Sequence, residues 1–204
     1  MERITVFGTE DFALTPDREE VFGWMRCSAE LACFDIFCGA WDQAISLLLE
    51  HAQPRAAICQ DGEEHLTVFL TLGKAAEDCV EALFQQREYV LASLLNTLCD
   101  QALFQMNHQL SVRLQALLAA EHRYMASRQE PGIDYAPTEQ RRRFEPLRQA
   151  LPGANVSLSG VLSPAKSMMY GVTLSSRSCG ETALHDCTRC SQRDCPYRKS
   201  PPSV

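Results

Sequence analysis

Apolar residues recur along this chain with two periods, and the changes between them mark out its elements. Residues 3–8, Arg-Ile-Thr-Val-Phe-Gly, read as a short strand ended by Gly8. Thr15-Pro16-Asp17 reads as a helix start, with a capping hydroxyl, a proline at the first helical position and acids in the first turn. That helix is predicted to run to about Leu31. A second helix, over 40–52, places Ala44, Leu47 and Leu48 on one face and meets Pro54 beyond its end. Residues 56–59 and 66–72 are strand-like. Between them lies the acidic turn Gln60-Asp61-Gly62-Glu63-Glu64, whose Asp-Gly predicts a tight reversal.

The helical period is clearest in the middle of the chain. Over 75–86, Val80, Leu83 and Phe84 alternate with Glu77, Asp78 and Glu81 as an amphipathic helix requires. Over 88–121, Leu91, Leu95, Leu98, Ala102, Met106, Leu110, Leu114, Leu117 and Leu118 follow three- and four-residue steps. A helix this long is expected to line a packed layer of the fold. Asn96, Asp100 and His108 on it read as solvated or capping groups.

Beyond it, residues 128–137 hold two prolines and a glycine and are predicted to form a loop. Thr138 is expected to cap a helix reaching about Ala150 and stopping at Leu151-Pro152-Gly153. Residues 156–162 and 169–174 read as two strands flanking a turn at Ser163-Pro164-Ala165-Lys166. After Ser175 large apolar residues give way to Ser, Arg, Cys and Asp. This sets the expected organisation: a domain over 1–175 and a Cys-rich segment over 176–204. The last residues, Pro201-Pro202-Ser203-Val204, are expected to be disordered.

Bulk properties then exclude some functions. A chain of 204 residues, 46% hydrophobic and 22% charged, is long enough for one substantial core. A net charge of −7 argues against nucleic acid or an anionic membrane as the partner. The short run Arg141-Arg142-Arg143 reads as a solvated helix face. No stretch approaches the roughly 20 apolar residues of a membrane span. The N-terminus lacks the basic and apolar regions of a signal peptide, so a cytoplasmic location is expected.

Chemistry concentrates near the C-terminus, in Cys179-Gly-Glu-Thr-Ala-Leu-His-Asp-Cys187-Thr-Arg-Cys190-Ser-Gln-Arg-Asp-Cys195-Pro196-Tyr197-Arg198. Two thiolates separated by two residues can hold one tetrahedral metal or one iron–sulfur cluster without straining the backbone. Cys179, Cys187, Cys190 and Cys195 are therefore the candidate metal ligands, for iron–sulfur or zinc, with redox thiols a third reading. His185 is a possible substitute for Cys179. The other six cysteines (Cys27, Cys33, Cys38, Cys59, Cys79 and Cys99) lie in apolar text, where free cysteine behaves as a small hydrophobe. No Ser–His–Asp set and no phosphate-binding glycine loop is evident.

Residues 66–174 also carry a resemblance. The strand His65-Leu-Thr-Val-Phe-Leu-Thr-Leu-Gly73, the helix junction at Arg87-Glu88-Tyr89, the loop Arg128-Gln-Glu-Pro131-Gly132 and the stretch Val156-Ser-Leu-Ser-Gly-Val-Leu-Ser-Pro-Ala-Lys-Ser167 resemble the reactivation domain of cobalamin-dependent methionine synthase. The small stand-alone bacterial proteins built from that domain are more similar still. The resemblance implies an α/β (α+β) fold, a twisted antiparallel sheet with long helices. It implies S-adenosylmethionine as cofactor and a corrinoid protein or split methionine synthase as partner, with cobalamin carried by that partner. The role implied is assistance to reductive remethylation of the corrinoid, with an electron donor and the Cys-rich segment as its possible relay.

Residue by residue, Arg128 matches the arginine that holds the cofactor's carboxylate end. A planar guanidinium suits a carboxylate because it donates two parallel hydrogen bonds. Gly132 matches a glycine that lets backbone approach the ligand, and Ser163, Pro164 and Ser167 match the turn beside the site. The family's tyrosine after the glycine is Ile133 here, leaving Tyr135 as the nearby tyrosine. Its glutamate in the strand before the turn is Leu158, and Met168-Met169-Tyr170 replaces its Val-Ser-Gly after Ser167. Each lost polar contact removes about 1–3 kcal/mol of binding. On residue chemistry alone, Arg128 reads first as a helix-end cap and Gly132 as a turn residue, and only the resemblance gives them a ligand. A non-catalytic binding module with a zinc-stabilised tail is the alternative function.

Overall fold

The computed structural model describes residues 3–177, 194–195 and 197–198. Five antiparallel strands form one sheet in the order β1-β2-β3-β7-β4. They are β1 (Arg3–Phe7), β2 (Arg55–Asp61), β3 (His65–Thr71), β4 (Tyr124–Gln129) and β7 (Ser167–Ser175). A small hairpin, β5 (Asn155–Val156) with β6 (Leu162–Ser163), stands apart. The helices are α1 (Arg18–Trp24), α2 (Phe34–His51), α3 (Lys74–Gln85), α4 (Tyr89–Ala120) and α5 (Pro137–Phe144). The mixed helix and antiparallel-sheet architecture expected from the sequence is the one observed.

The sheet is buried on both faces by unequal layers. Ala56 and Ile58 of β2, Leu66, Val68 and Leu70 of β3, and Tyr170 and Val172 of β7 face the helices. There they meet the stripe of α4, in which Leu94, Leu95, Leu98, Met106 and Leu110 are at most 1% exposed. The opposite face carries Ala57, Cys59, Phe69 and Met169, covered by Phe144, Leu147, Leu151 and Val156. Phe69 and Phe144 meet at 5.1 Å between ring centroids. Strands buried on both faces become continuous apolar runs, as β3 is.

Three helices end in the same way, and none announces it. Arg26, Arg87 and His122 adopt φ of 52, 66 and 55° after α1, α3 and α4. In each, two backbone N–H groups fold back on the last turn: Cys27 N to Phe22 O and Arg26 N to Gly23 O after α1. This is the Schellman arrangement, which usually takes glycine at the left-handed position. With arginine there, α1 ends at Trp24, seven residues short of the expected Leu31. Asp17, as its N-cap, accepts from Glu20 N at 3.1 Å.

Other boundaries moved for similar local reasons. α2 starts at Phe34 rather than 40, with no capping side chain at Cys33 to mark it. α5 stops at Phe144, and Glu145–Leu147 continue as a 3-10 turn because Pro146 has no N–H for the ladder. Residues 156–162 are not one strand. Ser157 Oγ accepts from Val161 N at 2.9 Å and Gly160 takes φ 84°, so the chain turns between β5 and β6. β4 was not anticipated at all. The fold predicts a sharp contrast along α4: Leu98→Ala should cost about 2–5 kcal/mol, whereas Leu117→Ala, 55% exposed, should cost under about 0.5 kcal/mol. Urea unfolding of the two variants checks this.

Candidate functional site

The sheet edge at β4 is shaped by one extra residue. Met125 pairs with Leu174 and Ser127 with Thr173, so Ala126 is bulged out of register. A bulge re-aims the side chains beyond it. Met125 faces the helices, and without the bulge Arg128, three residues on, would face the other way. With it, Arg128 lies opposite Val172 and turns toward α4.

There the Arg128 side chain is 7% exposed. Its guanidinium carbon lies 3.7 Å from the centroid of the Tyr170 ring, a cation–π stack. Tyr170 is 1% exposed, and its hydroxyl hydrogen-bonds Ser111 on α4. Burial pushes that hydroxyl's pKa above the usual range. Glu130 Oε1 lies 2.6 Å from Arg128 Nε, an ion pair whose N–H is not aligned for a hydrogen bond. Nη2 reaches Met168 Sδ at 3.5 Å, a weak acceptor. Nη1 has no hydrogen-bond partner among the described residues. On α4, Asn107 Oδ1 is likewise buried without one, a helical turn before Ser111.

The loop after β4 closes over this edge. Glu130 N donates to Asp134 Oδ2 at 2.7 Å, and Gly132 N to Tyr135 O at 2.9 Å. Gly132 takes φ 77°, which glycine adopts at little cost, and the space where a Cβ would stand is open. Ile133 at the tip is 56% exposed. Tyr135 is half-buried, its hydroxyl covered and unpartnered among the described residues, and burial raises its pKa against the pull of Arg143.

A second arginine holds Tyr135 from the other face of the sheet. The Arg143 guanidinium lies 4.4 Å from the Tyr135 ring centroid. It donates to Gln129 Oε1 and to Glu139 Oε1, each at 2.8 Å. Hydrogen bonds from Arg142 and Arg143 hold Glu139 at about 2. Gly171 makes room for this crossing: a Cβ there would stand 2.5 Å from Arg143 Nη1. Arg143 belongs to the run that read as a solvated face, yet its side chain is mostly covered.

Arg128, Gly132 and Tyr135 thus share one edge. Ser163, Pro164 and Ser167 form a separate group at the far end of β7. Ser167 lies five strand positions from Val172, about 16 Å along the strand. It donates to Thr71 Oγ1 at 2.8 Å on the face opposite Arg128. The Ser163–Pro164 peptide is cis. Ala165 N donates to Glu77 Oε2 at 2.6 Å, fixing the turn to α3.

The turn also connects to the Cys-rich segment. Lys166 Nζ lies 2.5 Å from Asp100 Oδ1, and Tyr197 donates its hydroxyl to Asp100 Oδ2 at 2.5 Å. The Tyr197 ring packs edge-on against Trp24 at 4.7 Å and beside Phe104 at 5.2 Å. Asp100 is therefore an anchor rather than a solvated group, and Cys195 sits two residues from this dock. Cys179, Cys187, Cys190 and His185 lie outside the described residues. Among the described residues, no group of three or more His, Cys, Asp or Glu side chains is arranged to hold a metal ion. Nor is any described helix long and apolar enough to cross a membrane.

No family model matches the chain, and no curated protein matches it. Among solved structures, the MetH reactivation domain bound to AdoHcy aligns with a TM-score of 0.56 over 84% of this chain and 78% of that one, at 10% identity. At that identity the likeness shows a shared fold. It bears out the fold half of the resemblance read from the sequence.

Glu130, Tyr170, Asn107 and Asp100 were not singled out as site residues. The substitution of tyrosine for the family's glycine at 170 was the signal for one of them: a large aromatic in β7 gives Arg128 a surface to lie on. The dock predicts that Tyr197→Ala exposes Trp24 and shifts tryptophan emission to the red. Tyr197→Phe, which keeps the ring and loses the Asp100 bond, should shift it less. No shift in either variant would mean that the dock does not form in solution.

Proposed function

We propose that residues 1–175 bind S-adenosylmethionine at the β4 edge and assist the reductive remethylation of a corrinoid protein or a split methionine synthase. One observation carries this reading: a guanidinium more than nine-tenths buried keeps an open donor, Arg128 Nη1, on the fold of a domain solved with AdoHcy. A buried donor without an acceptor is costly, and a ligand carboxylate would supply one. Glu130 holds the Nε side of the guanidinium, leaving the end of the fork for the ligand. Asn107 Oδ1, an acceptor in the same layer, suits the ammonium of the same amino-acid group. Tyr135 offers a hydroxyl and an aromatic face, and Gly132 leaves its side of the loop open.

The bound cofactor would supply a methyl group, and the corrinoid would arrive on the partner as substrate. Cys179, Cys187, Cys190 and Cys195 fit an iron–sulfur centre or zinc in ligand type and number. An iron–sulfur centre reaches the low potentials that corrinoid reduction demands. The Asp100–Tyr197 dock supports a placement of Cys195 beside the 163–167 turn. A soluble cytoplasmic setting fits this chemistry, with an electron donor as a further partner.

A second reading is a non-catalytic binding module with a zinc-stabilised segment. Two observations favour it: Ile133 and Leu158, in place of the family's tyrosine and glutamate, are 56% and 78% exposed and bring no polar group to a ligand. Iron and acid-labile sulfide in protein purified without oxygen would support the first reading, and zinc the second.

Calorimetric titration of the full chain with S-adenosylhomocysteine and with methylthioadenosine, which lacks the amino-acid group, tests the site. Arg128→Ala should weaken the first ligand by about 10- to 100-fold, the loss of a charged hydrogen bond, and leave the second unchanged. Equal weakening of both, or no binding by the folded parent chain, would refute the assignment.

A further inference from the structure

Between β1 and α1, residues 12–17 (Phe-Ala-Leu-Thr-Pro-Asp) form no regular element, yet they are held in register along α4. The holding groups are glutamines spaced four residues apart. Gln109 Oε1 accepts from Ala13 N at 3.0 Å, and its Nε2 donates to Ala13 O at 2.7 Å. Gln105 makes the same pair with Thr15, at 2.9 and 2.7 Å. Gln101 repeats it with Asp17, at 2.9 and 3.1 Å. Arg113, one turn beyond Gln109, donates to Asp11 Oδ1 at 3.2 Å.

The strap fits the helix because their repeats nearly agree. Four residues of helix rise about 6.0 Å, and two residues of extended chain span about 6.6 Å. A side-chain amide carries a donor and an acceptor side by side, as the backbone of a neighbouring strand does. Each glutamine therefore pairs with one strap residue as a β-ladder would, and alternate residues turn their backbone groups toward α4. Pro16 falls between two rungs, where no N–H is needed. Ala13, Thr15 and Asp17 are exposed, whereas Phe12 is buried and Leu14 packs against the core.

The last rung leads into the Tyr197 dock. Asp17 is the N-cap of α1, and Gln101 Nε2 also donates to Glu20 Oε2 at 2.8 Å. The helix ends at Trp24, whose ring lies 5.8 Å from Phe104 and 4.7 Å from Tyr197. Asp100 and Phe104, which hold Tyr197 on α4, lie within one turn of Gln101. Strap, α1 and Tyr197 therefore hang on the same turn of one helix. The rungs at Ala13 and Thr15 are open to solvent, where single side-chain bonds are weak. A segment held this way opens below the free energy of global unfolding.

We propose that the glutamine strap and the Tyr197 dock form one two-state latch: the two close together, and opening either loosens the other. The closed strap fixes the start of α1, and α1 then places Trp24 against Phe104 as the wall that Tyr197 leans on. When the strap leaves α4, α1 loses its hold at Gln101 and Trp24 leaves the seat. In the other direction, the docked Tyr197 ring holds Trp24 in place and so keeps the strap on its rungs. Such coupling is reciprocal, with each half stabilising the other by the same factor. Residues 13–17 thus control whether Cys195, two residues from Tyr197, is tied to the rest of the fold. This inference does not rest on cofactor binding.

Amide hydrogen exchange of the full chain, followed residue by residue by NMR, tests the latch. In the parent, the Ala13, Thr15 and Asp17 amides should share one protection factor, higher than that of Leu14 and lower than those of β3. Gln105→Ala removes one rung and substitutes a good helix former. It should lower all three protection factors about 10-fold and move the Trp24 indole N–H signal. Tyr197→Ala should lower the same three protection factors and move the indole signal in the same direction, with β3 unchanged in both variants. Loss of protection at Thr15 alone in Gln105→Ala, or an unchanged strap in Tyr197→Ala, would overturn the proposal. So would three unrelated protection factors in the parent, a result that needs no variant to fold.

Discussion

The Arg128 side chain, turned under α4 and 7% exposed, constrains everything around it. Taking a charge out of water costs several kcal/mol unless partners replace the lost hydration. Tyr170 supplies an aromatic face, Glu130 an opposite charge and Met168 a weak acceptor. These leave part of the fork unsatisfied. The bulge at Ala126 makes this arrangement possible, because it alone brings Met125 and Arg128 to the same face of the sheet. A strand edge thus becomes a place where a donor waits for an acceptor.

The two faces of the β4–β7 edge are built as complements. On the helix side Arg128 lies over Tyr170, and on the other Arg143 lies over Tyr135. Gly171 is the gap through which Arg143 passes, and Gly132 permits the turn that brings Tyr135 back. Further along β7, Lys166 and Asp100 tie the cis-proline turn to α4, and Tyr197 ties the Cys-rich segment to the same carboxylate. The proposed cofactor edge and the proposed metal segment are therefore joined through one strand and one helix.

Much of this was legible beforehand where period and burial agree. The stripe from Leu91 to Leu118, the β2–β3 reversal at Asp61-Gly62 and the run of β3 all read directly. The failures share a cause: a local device that the residue type does not advertise. Arg26 stands where a helix stop usually has glycine, so α1 read too long. The bulge in β4 breaks the alternation that marks a strand, so its Tyr-Met-Ala-Ser-Arg-Gln looked like nothing in particular. Ser157 and Gly160 turn the chain inside an apolar stretch that looked continuous. Arg128 was found as a residue through resemblance, but its burial was not, since that depends on the bulge.

The central claim is that the Arg128 fork is completed by a ligand carboxylate. A crystal structure of the full chain with S-adenosylhomocysteine tests it most directly. The account predicts the ligand carboxylate within hydrogen-bond distance of Arg128 Nη1, with Glu130 still paired to Nε and the adenosine against the 130–135 loop. A ligand bound elsewhere, with Arg128 unchanged over Tyr170, would contradict it.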